Sequence, residues 1–86
     1  MTLPGWRIQA PGDLVYVREG APMFDNASDV PAAATVPPAR VQMAEMGIVV
    51  AVDDETTFGS TARPVCIFLS KRMRMMWVDM YWCSRI

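Results

Sequence analysis

Short runs of β-branched and aromatic residues recur along the chain and predict three β-strands. They share boundaries of Gly, Pro or charged residues, and they lie at 13–18, 47–53 and 65–69. Because successive side chains of a strand point to opposite faces, Leu14 and Tyr16 share one side of the first strand. Both sides of that strand are apolar, so we expect its outside to be covered. In the second strand, Ile48, Val50 and Val52 are expected to share one face.

The segment 70–82 fits two periodicities. As a strand, it places Met73, Met75 and Trp77 on one face. As a helix, it forms an amphipathic stripe of apolar residues at helical spacing, namely Met73, Met76, Trp77, Met80 and Tyr81. The segment begins with three cationic residues, which oppose the positive end of a helix dipole. A strand here would also complete a β-barrel that otherwise lacks one of its sides. The sequence therefore favours a strand.

Turn-forming residues define the rest of the chain. A tight turn is expected at 79–82, followed by a last short strand at 83–86. Residues 1–12 are expected to form an irregular N-terminal arm, and 54–64 a polar loop. Residues 19–46 are rich in Pro and Ala, and they predict a long loop with extended, polyproline-like pieces. We expect one domain over all 86 residues.

The composition is apolar for so small a domain. Hydrophobic residues make up 52% of the chain and charged residues 20%, with eight Met and three Trp. Either Met fills much of the core, which is the more common use of this residue, or part of the apolar surface faces a partner. The net charge of −1 does not fit a strongly basic nucleic-acid binder.

The chemistry of common active sites is missing from the sequence. Without His, the chain lacks the commonest general base, and neither a Ser-His-Asp nor a Cys-His arrangement can form. Two Cys without His cannot make a four-ligand zinc site. Cys66 and Cys83 are interpreted as small buried hydrophobes, and a disulfide between them stays open. The carboxylates at 53–55 lack the spacing of an EF-hand loop. We therefore expect no enzyme, no metal and no cofactor.

Neither a signal peptide nor an apolar run of membrane-spanning length is recognisable. We therefore expect the chain to act away from membranes, in a cytoplasm or within a soluble particle.

The order of the predicted strands resembles that of small SH3-like barrel proteins, many of which are encoded by tailed bacteriophages. The matching segments cover about half of the chain and lie at 12–17, 47–50, 65–69, 76–78 and 82–86. The resemblance implies an all-β fold, a small five-stranded SH3-like barrel with the long Pro/Ala-rich loop after the first strand. Arg18, Glu19 and Gly20 also resemble the opening of a KOW motif. A KOW motif is compact, whereas here residues 19–46 separate the two halves.

Composition and resemblance together predict a structural or assembly module that binds other proteins. The most specific form of this prediction is an accessory component of a bacteriophage virion (capsid, neck or tail). Such a protein would be present in the virion or the host cytoplasm. The partner would be a larger protein assembly, and a homo-oligomer is an option. The expected contact residues are Trp6, Pro31, Val36, Pro37, Pro38, Met73, Met75, Trp77 and Trp82. Deletion of 21–40 is expected to abolish incorporation and to leave a folded barrel.

Two other functions remain open at this stage. One is a KOW-like nucleic-acid-binding module in which Lys71, Arg72 and Arg74 bind phosphates and Trp77 stacks on bases. Its affinity would fall steeply with salt. The other is a small soluble regulator that binds one host protein, which the sequence does not separate from an assembly protein.

Overall fold

The computed structural model describes residues 9–31, 39–53 and 63–86. These residues form an antiparallel β-structure and contain no α-helix. Their seven short strands are β1 (Leu14–Val17), β2 (Pro22–Met23), β3 (Ala39–Arg40), β4 (Glu45–Val52), β5 (Pro64–Leu69), β6 (Arg74–Asp79) and β7 (Cys83–Arg85). The predictions of an all-β chain and of the three clear strands are confirmed. The described residues also contain no helix that is long and apolar enough to cross a membrane.

Five of the strands make one antiparallel sheet in the order β6-β5-β4-β1-β7. The first strand of the sequence therefore lies between β4 and the last strand, β7. The remaining two strands, β2 and β3, pair with each other, with Pro22 opposite Arg40. The structure thus has two sheets, where the sequence predicted only five strands in one barrel.

The ambiguous segment 70–82 is a strand rather than a helix, as predicted. A turn at 70–73 joins β5 to β6, and a 3-10 turn, Met80–Trp82, leads into β7. Asp79 stabilises that 3-10 turn, because its Oδ1 accepts a hydrogen bond from the backbone N–H of Tyr81 at 3.1 Å. Met73 closes the hairpin turn with a φ of 53°, a left-handed conformation that few residues other than Gly adopt.

The described residues of the segment 19–46 form more secondary structure than the sequence predicted. Besides β2 and β3 it contains a 3-10 turn, Ala27–Asp29, and β4 already begins at Glu45. Phe24 pairs with Trp77 through two backbone hydrogen bonds of 2.9 and 2.8 Å, at the free edge of β6. A sheet edge leaves N–H and C=O groups unpaired, and here this segment satisfies some of them. Residues 32–38 lie outside the described part of the chain.

Part of the same segment is buried, which changes the expected effect of deleting it. Ala21, Met23, Phe24 and Val30 are each at most 6% exposed. Removing 21–40 would therefore remove core side chains. From this burial we now expect the deletion to destabilise the domain rather than to leave it folded.

The core lies on one side of the five-stranded sheet and is built mainly of β-branched residues. It contains Val15, Val17, Ala21, Met23, Val41, Val49, Val65, Ile67, Leu69, Met76, Val78 and Cys83. Two methionines, Met23 and Met76, belong to the core, and Met80 packs against it. Met43, Met46, Met73 and Met75 are all at least 46% exposed. The more common use of Met, as core filler, is therefore not the main one here.

A β-bulge interrupts the alternation of β4. The pairing with β5 shifts between Val49 and Ala51, so Val50 has no partner in the register. Beyond the bulge, Val52 packs against the core, while Ile48 and Val50 stay exposed. Strict alternation had predicted one face for all three, and the bulge overturns that prediction.

Both cysteines are free thiols and both are buried, as interpreted from the sequence. The structure therefore has no disulfide between Cys66 and Cys83, which the sequence had left open. Burial raises the pKa of Cys66 above its usual value. Burial, with a smaller effect of the Asp79 carboxylate, raises the pKa of Cys83 to about 12. A thiol stays protonated and unreactive under these conditions.

Candidate protein-interaction surface

The side of the five-stranded sheet that faces away from the core carries a row of apolar residues from one edge to the other. The row has one member from each strand or its end, in the order Ile86, Leu14, Ile48, Phe68 and Met75. The N–H of Ile86 donates to the carbonyl oxygen of Leu14 at 3.0 Å, and the other neighbours are direct partners in the register. Since adjacent strands lie about 4.8 Å apart, the row is about 19 Å long.

A second, shorter row extends this surface. Tyr16 and Met46 are direct partners on the same side of β1 and β4, two positions from the first row. Val50 adds a further side chain at the bulge. We call the eight residues the outer face, namely Leu14, Tyr16, Met46, Ile48, Val50, Phe68, Met75 and Ile86. All but the half-buried Phe68 are 44–61% exposed.

The outer face is comparable in area to the largest apolar patches of ordinary monomers. At roughly 200 Å² for a large side chain in full exposure, its seven exposed members present on the order of 700 Å². The largest apolar patch of a typical monomer is about 300–600 Å², and larger ones mark interaction sites. The sequence led us to expect a cover on the outside of β1, and the described residues leave that side open.

The predicted contact residues fall in different places. Met75 belongs to the outer face, and Trp77 lies on the same side of β6, half-buried. Met73 is 76% exposed in the turn between β5 and β6, and Pro31 is exposed at the end of the described range 9–31. Trp82 lies in the 3-10 turn and packs against the core. The other predicted contact residues lie outside the described part of the chain, namely Trp6, Val36, Pro37 and Pro38.

Most of the outer face escaped the sequence reasoning. Of its eight residues, only Met75 had been singled out as a contact residue. The available signal was the apolar character of both sides of the first strand. That signal did not show that the outward residues of neighbouring strands line up, because register depends on pairing across the sheet.

The predicted nucleic-acid residues do not form one charged surface. Arg72 donates a hydrogen bond from Nε to Oε2 of Glu45 at 2.8 Å, and its Nη2 lies 2.7 Å from the same oxygen in a salt bridge. Arg74 pairs with Asp25 at 3.3 Å, with both side chains exposed. Three positions separate Arg74 from Trp77, so the two side chains lie on opposite sides of β6. Of the described cations Lys71, Arg72 and Arg74, only Lys71 lacks a carboxylate partner.

Arg72 is held by a carboxylate that is itself buried. The side chain of Glu45 is 4% exposed and that of Arg72 is 37% exposed. The second oxygen of Glu45, Oε1, has no hydrogen-bond partner in the described residues. Because an isolated buried charge is costly, the guanidinium of Arg72 is needed to compensate Glu45.

A cluster of Arg18 with two aromatic rings joins the 3-10 turn to the end of β1. The guanidinium of Arg18 lies 4.8 Å from the ring centre of Tyr81 and 5.1 Å from that of Trp82. Its Nη2 also donates to the carbonyl oxygen of Tyr81 at 2.8 Å. The two rings meet edge to face at 5.5 Å. These cation–π and hydrogen-bond contacts fix the turn that precedes β7.

The described residues offer no cluster of three or more His, Cys, Asp or Glu side chains that could hold a metal ion. Comparison with protein-family models, with curated proteins and with solved structures finds no match to this chain.

Proposed function

We propose that this protein is a non-catalytic interaction module that docks on a larger protein assembly through the outer face. The observation that carries the proposal is a continuous, exposed apolar face of on the order of 700 Å², comparable to the largest patches of typical monomers, which are often functional. Exposing so much apolar area costs free energy, at roughly 25 cal/mol per Å² relative to its burial. A partner that covers the face recovers that free energy.

For the fold we propose an SH3-like barrel. Its support is the sheet order, with β1 between β4 and β7, together with the 3-10 turn just before the last strand. The pairing of Phe24 with the edge of β6 also brings the chain after β1 to the far edge of the sheet. An accessory component of a bacteriophage virion is the concrete version of the function, and it rests on the resemblance of the sequence to phage-encoded barrels.

Sedimentation of a native lysate of the source tests the docking. We expect the wild-type chain to travel with a heavy, nuclease-resistant particle. Ile48→Lys places a charge at the middle of the outer face and should leave the chain in the light fraction. Met43→Lys is the matched control, because Met43 is 68% exposed and lies outside the five-stranded sheet. It should sediment like the wild type.

The same experiment separates the other functions. A chain that leaves the heavy fraction after nuclease treatment would support nucleic-acid binding, and a chain that stays light throughout would support a soluble regulator. Equal incorporation of Ile48→Lys and wild type would contradict docking through the outer face. Circular dichroism of each purified variant checks that the fold is intact, which we expect because a half-exposed lysine can extend its ammonium to water.

A further inference from the structure

The area of the outer face matches one half of a stable dimer interface. Standard interfaces bury about 1,200–2,000 Å² in total, or about 800 Å² per partner. Two outer faces of on the order of 700 Å² each would bury about 1,400 Å² if they covered each other. The face is therefore large enough to serve as a complete interface with a second copy.

The outer face itself carries no charged side chain that would select a partner of opposite charge. None of its eight residues is an acid or a base of the Asp, Glu, Lys or Arg type. Arg85 and Asp13 pair with each other, Nε to Oδ2 at 3.6 Å, and they belong to the opposite side of the sheet, where Arg85 lies across from the core residue Val15. The eight residues of a second copy would thus bring no like charge against this face, and a charged partner would find no opposite charge among them.

The geometry of the row is self-complementary. Ile48 lies on β4, the central strand of the five, with two row residues on each side. A two-fold axis that runs along the row, midway between two facing sheets, places the row of one copy over the row of the other, with Ile48 facing Ile48. Sheets packed face to face lie about 10 Å apart, a gap that side chains of this size fill. The unbranched Met side chains can adjust to the partner.

We propose that the outer face binds a second copy of this chain in a two-fold, face-to-face dimer of sheets, with Ile48 at its centre. The proposal rests on the proposed function and names the partner. The assembly that the module joins is then built in part from copies of itself.

Sedimentation equilibrium of the purified full chain tests the dimer. We expect the wild type to dimerise and Ile48→Lys to weaken the dimer by at least tenfold. Met43→Lys should dimerise like the wild type. A wild type that stays monomeric at several hundred micromolar, or an Ile48→Lys chain that dimerises equally well, would overturn the proposal.

Mixing two opposite variants tests the position of the axis. Ile48→Lys and Ile48→Glu each place a like charge against its copy, so each alone should be monomeric. An equimolar mixture should form a heterodimer, because lysine then faces glutamate across the axis. A mixture that remains monomeric would overturn the row-on-row arrangement.

The two proposals fail in different ways. A wild type that is monomeric in isolation but enters the heavy particle in an Ile48-dependent manner overturns the dimer and supports docking. A dimer that Ile48→Lys disrupts, with no loss of incorporation, supports the dimer and overturns docking through the outer face.

Discussion

The ion pair between Glu45 and Arg72 makes a quantitative prediction about stability. Glu45 begins β4 with its side chain 4% exposed, and its Oε2 accepts a hydrogen bond from Arg72 Nε and forms a salt bridge with Nη2. Oε1 has no partner among the described residues. Arg72→Met keeps most of the aliphatic stem and removes the charge. The buried carboxylate is then left without its cation.

The expected cost follows from the exposure of the two partners. Removing one member of a fully buried ion pair costs about 3–5 kcal/mol. The Arg72 side chain is 37% exposed, so water reaches the site and we expect about 2–3 kcal/mol for Arg72→Met, below the fully buried case. At a urea m-value of about 1 kcal/mol per M, the unfolding midpoint falls by about 2–3 M.

Glu45→Gln is expected to change the free energy of unfolding in opposite directions in the presence and the absence of Arg72. In the Arg72→Met background, Glu45→Gln should raise the free energy of unfolding by about 1 kcal/mol, because a neutral amide costs less to bury than a charge. Glu45→Gln alone should cost about 1 kcal/mol, since the guanidinium left behind can hydrogen-bond to water. The double-mutant cycle then gives a favourable coupling of about 2 kcal/mol between the pair.

Urea unfolding followed by tryptophan fluorescence measures all four chains of the cycle. Arg74→Met is the matched control, since Arg74 and Asp25 are 65% and 72% exposed, and it should cost less than about 1 kcal/mol. The reasoning is refuted if Arg72→Met costs no more than Arg74→Met, or if Glu45→Gln fails to recover stability in the Arg72→Met background.

Three further predictions concern the backbone and a thiol. Gly47→Ala should destabilise by about 1–3 kcal/mol in urea unfolding, because the new Cβ would meet Ile67 Cγ2 and lie 2.8 Å from the backbone oxygen of Phe68; an unchanged midpoint would contradict this close approach. Met73→Gly should stabilise by about 0.5–1 kcal/mol by relieving the positive φ, and a lower Tm on thermal unfolding would argue against strain at this turn. Burial holds the Cys83 pKa near 12 in the folded state against 9.0 for an ordinary thiol, so between these values the unfolded chain alone loses the proton and stability falls by up to about 1.4 kcal/mol per pH unit. Cys83→Ala should show a shallower fall in midpoint over that pH range, and equal slopes would exclude a contribution from this thiol.

The positions of the long strands were predictable because their signal is local. Alternation of apolar side chains and boundaries of Gly and Pro mark β1, β4 and β5 within a few residues each. The choice of strand for 70–82 was also correct, helped by cations unsuited to a helix N-terminus. The strands β2 and β3 were missed because each has two residues, too few to show a period. The pairing of Phe24 with Trp77 joins residues that are distant in sequence, and no local sequence pattern indicates it.

The bulge at Val50 and the position of Arg72 show the same limit at the level of single residues. Alternation assigned Val50 and Val52 to one face, and one extra residue in the pairing with β5 separated them. Arg72 was a candidate phosphate ligand by composition, but the turn between β5 and β6 brings it to a buried carboxylate on β4. Both outcomes depend on contacts across the sheet.

The sequence by itself determined that the chain is all-β, where its longer strands lie, and that it carries more apolar side chains than a thin core requires. The tertiary structure alone decided which of those side chains remain exposed. Periodicity shows which residues of one strand share a side. Strand order and register are set by hydrogen bonds between distant segments. Only they bring one outward apolar residue from each strand of the five-stranded sheet, or from its end, into a single row.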